Sequence, residues 1–225
     1  MKNQPASGSS GFDFREQVMR EILLATGNRD KAKEMIEILS ACEAGLPPIR
    51  WRLLAEFPGL PEAVEDGATF MDNATRKAMH YARQTGLWTL ADDSGLEVDA
   101  LGGAPGVRSA RYAGEPSNAK ANNALLVRNL AGVPAERRTA RFHCAVVLAD
   151  PARVLAAAEG TVEGRIVDEP RGTNGFGYDP HFWIDGAAMT AAEMSSEQKH
   201  AVSHRGQALR KLRDRLPTVL ADSLA

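Results

Sequence analysis

Leu87-Trp88-Thr89-Leu90-Ala91-Asp92-Asp93-Ser94-Gly95 is the stretch on which the fold turns. Its apolar first half reads as a buried strand and its Ser-Gly pair as a turn, so two adjacent carboxylates fall at a strand's carboxyl end. In open α/β sheets that edge is where ligands bind. Neighbouring negative charges repel each other and are costly to bury unpaired. A divalent cation relieves both difficulties, and hard oxygen ligands suit magnesium. Taken alone, Asp-Asp is also common in exposed turns.

Upstream, Glu21-Ile22-Leu23-Leu24-Ala25 reads as a short buried strand that breaks at Thr26-Gly27-Asn28. A helix follows with Met35, Ile36 and Leu39 on one face. Residues 45–61 read as loop with one strand near Arg50 to Leu54. A helix from Phe70 to Arg83 places Ala74, Ala78 and Tyr81 on a shared side, and Gly86 ends it. Downstream of the acids, Leu101-Gly102-Gly103-Ala104-Pro105-Gly106 leads to a helix capped by Ser117 and carrying Ala121, Leu125 and Leu126. Residues 139–149 and 153–159 form a hairpin around Asp150-Pro151-Ala152, with a third strand over Thr161 to Val167. Thr190-Ala191-Ala192-Glu193 matches a capping box. A last helix carries Ala208, Leu209, Leu212 and Leu216, and Pro217 stops it. Strands interleaved with helices early and a meander later predict an α/β fold with a mixed sheet. Residues 1–17 read as a flexible Ser/Gly-rich tail, and 18–225 as one two-lobed domain.

Of the 225 residues 44% are apolar and 25% charged, ordinary for a globular core, and the formal net charge is −2. That balance argues against a dedicated nucleic-acid binder. Cys42 and Cys144 fit neither a zinc spacing nor a disulfide framework, which points to a reducing cytosol. No apolar run approaches the roughly 20 residues of a membrane span, and no signal-peptide core is visible.

Four further constellations carry chemistry. Thr26-Gly27-Asn28-Arg29-Asp30-Lys31 lies between a strand and a helix, where free N–H groups and the helix dipole favour an anion; an Asn cap followed by a surface lysine reads equally well. Glu65-Asp66-Gly67 precedes a helix on which Asn73 and Lys77, four apart, share a face; the alternative is a solvated helix end. Gly172-Thr173-Asn174-Gly175-Phe176-Gly177-Tyr178-Asp179-Pro180 combines glycines that let a ligand approach backbone with rings able to stack on a base; the alternative is a plain tight loop with packed aromatics, in which Asp179-Pro180 starts a turn. Ser203-His204-Arg205 opens the last helix near Lys199, either as an acceptor of anionic or carbonyl groups or as a capped, solvated helix start. His80, His143, His181 and His200 lack metal-ligand spacing.

Together these segments closely resemble the inosine triphosphate pyrophosphatase family over Ile22 to Leu216. The resemblance rests on Leu24 to Lys31, on Phe70-Met71-Asp72-Asn73-Ala74 with Lys77, and on Ala91 to Leu96. It rests also on Gly103 to Val107 leading into Ser109-Ala110-Arg111-Tyr112, on Gly175 to Pro180, and on Ser203-His204-Arg205. Six segments in the family's order are hard to obtain by chance. The resemblance implies an elongated mixed β-sheet flanked by helices, with the active-site cleft between two lobes, usually in a homodimer. It implies magnesium-dependent hydrolysis of dITP, ITP and XTP to the monophosphate and pyrophosphate. By position, Asp93 matches the general base and a magnesium ligand, Glu65 matches an acid at the metal, and Asp92 stands beside them. Thr26, Gly27, Asn28, Arg29, Asp30, Lys31, Lys77 and Lys199 match phosphate contacts. Ser94, Phe176, Gly177, Tyr178, Asp179, His204 and Arg205 match further substrate contacts, with the aromatic loop and the His-Arg pair nearest the base. Asp72 departs from the family's usual Glu, and Arg108 from its usual Tyr. Two rivals are a phosphatase with an Asp nucleophile and a catalytically silent nucleotide sensor.

Overall fold

A computed structural model describes residues 19–40 and 48–222; the 1–17 tail and Cys42 lie outside them. In chain order the elements are β1 (Arg20–Leu24), α1 (Arg29–Ser40), β2 (Ile49–Leu53), α2 (Phe70–Thr85), β3 (Trp88–Val98) and α3 (Ala119–Asn129). They continue with β4 (Thr139–Ala149), β5 (Val154–Ile166), β6 (Phe182–Ile184), β7 (Met189–Thr190), α4 (Ser196–Val202), α5 (His204–Arg213) and α6 (Leu216–Asp222). The sheet runs β2-β1-β3-β4-β5-β6-β7. β2 and β3 lie parallel to β1, and every later pairing is antiparallel. This is the mixed, open sheet expected from the alternation of elements.

α2 shows why its residues form the element they do. Thr69 caps it by accepting from the Asp72 N–H at 3.0 Å, a cap of the kind that contributes about 1 kcal/mol. Gly86 closes it at φ 72°, a conformation that costs glycine nothing. Its buried stripe is Phe70, Asn73, Ala74, Lys77, Ala78, Tyr81 and Ala82, a helical period with two polar residues in it. The alanines pack on Leu23, Ala25, Ala91, Ala145 and Val147. On the opposite sheet face α1, α5 and α6 bury Met35, Leu209, Leu212 and Leu216 against Leu24, Leu90, Val146 and Leu148. Each such leucine removed from water contributes about 2 kcal/mol. A separate cluster around Leu96, Leu126, Phe142, Ile166 and Phe182 fills the other end of the sheet.

Several local readings need correction. β3 does not end at the acids but continues through Ser94-Gly95 to Val98. The two strands expected over 153–167 are one, β5. Asn118, not Ser117, caps α3, accepting from the Ala121 N–H at 3.0 Å. Thr190 to Glu193 forms a turn in which the Thr190 N–H donates to Glu193 Oε2 at 2.7 Å; the capping box is Ser195 with Gln198. Pro217 stands in the first turn of α6 and does not stop a helix that has already ended at Arg213, consistent with the missing N–H being harmless there.

Candidate active site

β1 pairs with β3 only as far as Leu24 opposite Leu90. Beyond that point β3 keeps β4 on one side and opens its other edge. The acids therefore do sit past the carboxyl end of a parallel strand, but that strand is β1. Side chains satisfy the open edge in place of a strand: Lys77 Nζ donates to the Asp92 carbonyl at 2.9 Å, Asp93 Oδ1 accepts the Ser94 N–H at 2.9 Å, and Ser109 Oγ accepts the Leu96 N–H at 2.8 Å. Gly95 makes this approach possible, since a Cβ there would stand 2.3 Å from Ser109 Oγ. A cleft of about 860 Å³ runs along this edge.

Strand alternation sends the two acids to opposite faces. Asp92 is fully buried and meets Lys31 Nζ at 3.2 Å and Arg205 at 3.3 Å. Burial alone raises its carboxyl pKa, but Lys31, Arg205 and Lys77 overcome it and hold the group well below the usual carboxylate range. Asp93 faces the cleft and the α2 side. Asn73 Nδ2 donates to its Oδ2 at 3.0 Å, while Asn73 Oδ1 accepts the Gly67 N–H at 2.7 Å. Here burial wins over Lys31, Lys77 and Asn73, so the Asp93 pKa is raised. Lys77 spans the acids' surroundings, pairing with Glu65 at 2.9 Å. Despite burial it is held in its charged form by Asp92 and Glu65.

At the start of α1, Asn28 Oδ1 accepts the N–H groups of Asp30 at 2.9 Å and Lys31 at 3.1 Å, and Thr26 Oγ1 accepts the Asn28 N–H at 3.2 Å. Asn28 is therefore a helix cap, and the same cap aims Lys31 at Asp92. Of the two readings of this hexapeptide the cap is present, while Lys31 is turned inward to Asp92 and is not a surface lysine.

The far wall is built from the glycine loop, α4 and α5. Lys199 Nζ bonds Glu34 and Asp179, each at 2.7 Å, and Arg205 pairs with Glu34. Burial disfavours charge on Lys199, yet Asp179 and Glu34 raise its pKa. Glu34 in turn is lowered, burial being overcome by Arg205 and Lys199. The Phe176 ring lies 4.9 Å from Lys199 Nζ and 5.7 Å from the Arg205 guanidinium, within cation–π range. His204 stacks on Phe142 with centroids 4.8 Å apart. Burial, reinforced by Arg205, Lys199 and Lys31, depresses its pKa well below the usual imidazole value, so it stays neutral. Arg205 Nε and His204 Nδ1 are buried without hydrogen-bond partners.

Of the residues expected at the site, Thr26, Gly27, Asn28, Asp30, Lys31, Glu65, Lys77, Asp93, Ser94, Phe176, Gly177, Tyr178, Asp179, Lys199, His204 and Arg205 all line this cleft. Arg29 does not. Asp92 lies beneath the lining, committed to cations. The Tyr178 hydroxyl donates to the Ser109 carbonyl at 2.7 Å. Asp72 and Arg108 are exposed and outside the lining. Glu34, Asn73 and Ser109 were not among the expected site residues. Glu34 stands one turn after Lys31 on α1, and Asn73 and Lys77 interrupt an apolar stripe, which are the signals that could have marked them. Among the described residues no group of three or more His, Cys, Asp or Glu side chains is arranged to hold a metal; Glu65 and Asp93 are the carboxylates beside Lys77 in the cleft wall.

Known proteins resemble this chain in sequence and in fold. The model of the Ham1 family matches residues 22–215. A dITP/XTP pyrophosphatase from Desulforamulus reducens is 51% identical over 191 residues, 85% of this chain and 92% of that protein. One from Geobacter sulfurreducens is 49% identical over 88% of this chain and 97% of its own length. The solved structure of a HAM1 protein from Coxiella burnetii superposes with a TM-score of 0.78 at 42% identity, covering 89% of this chain and all of that one. With this extent of match in sequence and in fold, the chain belongs to the Ham1 family.

Proposed function

We propose that this protein hydrolyses the non-standard purine nucleoside triphosphates dITP, ITP and XTP to the monophosphate and pyrophosphate, using magnesium, as a cytosolic homodimer. The observation that carries the reading is the pair of unlike acids on one open strand edge, one buried and held charged by Lys31 and Arg205 and one with its pKa raised at the cleft surface. Carboxylates pushed apart in this way divide into structural and acid–base roles.

In this reading a water oxygen bonds to the α-phosphorus as the bond to the bridging oxygen breaks, and pyrophosphate leaves. Asp93 takes the water's proton; a raised carboxylate pKa makes it a better base, and Asn73 with the Ser94 N–H fixes its orientation. Lys31 and Lys77, with the capped turn at Thr26 to Asn28, face the phosphates and offset charge growing there. Asp92 holds Lys31 and Arg205 in place and is not itself a metal ligand. Lys199, packed on Phe176, belongs with the base-side residues. Phe176 stacks on the purine, and the His204–Arg205 end of the cleft donates to the 6-oxo group. Adenine presents an amino donor there, which leaves a buried donor unpaired and rejects ATP strongly.

The donor set fits magnesium. Among the described residues eight carboxylates line the cleft or pair with its cations (Asp30, Glu34, Glu62, Glu65, Asp92, Asp93, Glu115, Asp179), against five cations (Lys31, Lys77, Arg111, Lys199, Arg205), so a polyanion arriving alone finds no excess of positive charge. Magnesium is commonly held by one or two carboxylates together with phosphates, and Glu65 with Asp93 supplies that number. When bound, the ion supplies charge neutralisation at the phosphates.

The test is a nucleoside triphosphate panel with and without magnesium, scoring pyrophosphate against phosphate. Pyrophosphate from ITP, dITP and XTP at about 10²-fold the ATP rate is expected. Phosphate release points instead to an aspartyl-phosphate mechanism, and tight ITP binding without turnover to a sensor. Sedimentation at assay concentration tests the dimer.

A further inference from the structure

Two consecutive asparagines lie inside α3, Asn122 and Asn123, where the local backbone gains little from them, because asparagine is a poor helix former. Their side chains act elsewhere. Asn122 Oδ1 accepts the Ala113 N–H at 2.7 Å, and its Nδ2 donates to the Ala110 carbonyl at 3.0 Å, pinning the segment that carries Ser109. Asn123, roughly 100° further round the helix, donates from Nδ2 to the Gly177 carbonyl at 3.0 Å, 54 residues away in sequence. Gly177 sits at φ 62° beside Phe176. The loop's other ties run elsewhere: Asn174 to the Ala192 and Met194 carbonyls, the Phe176 N–H to Asp179, Asp179 to Lys199 on α4, and the Phe176 ring against Lys199 and Arg205. Only Asn123 and the Tyr178 hydroxyl, among the described contacts, fasten it to the α3 side. Ser109 ends the same brace, since its carbonyl takes Tyr178 while its Oγ holds the β3 edge at Leu96. A chain of hydrogen bonds thus joins the strand carrying Asp93 to the loop carrying Phe176.

We propose that Asn123 is a positioning residue for the base end of the cleft: by holding the Gly177 carbonyl it fixes the Phe176 ring and so sets affinity for the nucleobase without touching it. The inference rests on the proposed purine triphosphate reading. Asn123 does not line the cleft, so its effect passes through the loop. Two variants test it, Asn123→Leu, which removes all hydrogen bonding, and Asn123→Asp, which keeps the shape but replaces the donor with a carboxylate oxygen that repels the Gly177 carbonyl. In nucleotide-free protein, hydrogen exchange at the backbone amides of residues 174–179 accelerates in both. With ITP, KM rises about fivefold, the loss of one hydrogen bond, while kcat changes by less than roughly twofold because base binding is shared by ground and transition states. Thermal unfolding stays close to wild type. Unchanged exchange overturns the clasp; faster exchange with an unchanged KM, or a loss confined to kcat, overturns its role in base affinity. An Asn123→Asp protein indistinguishable from wild type overturns the donor as the cause. A wild-type enzyme that releases no pyrophosphate from ITP refutes the functional reading instead, and the exchange measurement still judges the clasp.

Discussion

Asp92 and Asp93 are adjacent in one strand, yet the two faces of the sheet treat a carboxylate in opposite ways. On the α1–α5 face Asp92 is met by Lys31 and Arg205 and stays ionised even though fully buried. On the α2 face Asp93 receives an amide and one backbone N–H but no direct ion pair, and burial dominates. The chemical difference between the neighbours is therefore made by strand alternation and by which helix lies over each face. Composition plays no part in it, since both residues are aspartate. One face supplies cations that keep its carboxylate charged, and the other leaves a hydrogen-bonded carboxylate without a direct ion pair at the cleft.

The comparison breaks most visibly in turnover. Asp93→Asn removes the base, and pyrophosphate release from ITP falls roughly 10³-fold; near-normal rates would remove Asp93 from the chemistry. Asp92→Asn leaves Lys31 and Arg205 short of a buried partner and lowers unfolding free energy by about 3 kcal/mol, read by denaturant titration; a neutral effect would show that Glu34 alone satisfies the guanidinium. The pH dependence of metal-free stability sharpens the contrast. The Asp92 pKa is depressed, so its contribution is complete above the unfolded value of 3.8 and is lost as pH falls through the folded value. The Asp93 pKa is raised, so its ionisation costs stability at neutral pH, and the cost disappears as pH falls below the folded and then the unfolded value. Accordingly, the stability of metal-free Asp93→Asn relative to wild type is greatest at neutral pH and falls in acid, read by denaturant titration across pH. A relative stability that rises in acid would mean that both faces favour the charge.

Elements whose signals are local were legible in the sequence. Thr69, the apolar period of α2 and Gly86 define that helix within its own residues. Asn28 could be read as a cap for the same reason. The two misread glycines share one cause: a residue whose reason lies in a distant contact. Gly95 reads as a turn and Gly160 as a strand break, yet both lie inside long strands. A Cβ on Gly160 would stand 2.2 Å from the His204 carbonyl, so the glycine is there to let α5 settle on β5. In sequence, a glycine that admits another backbone looks the same as one that turns its own. At the site, the residues around β1, α1 and α2 follow from motif and helix period, whereas Glu34 finds Lys199 and Arg205 across 165 and 171 residues. No spacing rule carries that pairing. The pKa of Asp93 was equally out of reach, because it depends on what fails to lie beside it.

Lys31, Lys77, Lys199 and Arg205 each hold a carboxylate partner before any ligand arrives. An incoming anion therefore competes with anions already in place, and not merely with water. Inorganic phosphate or sulfate, small and loosely specified, has little to offer in such an exchange. A triphosphate that brings its own divalent ion and a purine ring can displace several partners at once. Pairing its own cations in advance thus gives the cleft a threshold, which keeps it from filling with the abundant simple anions of the solution around it.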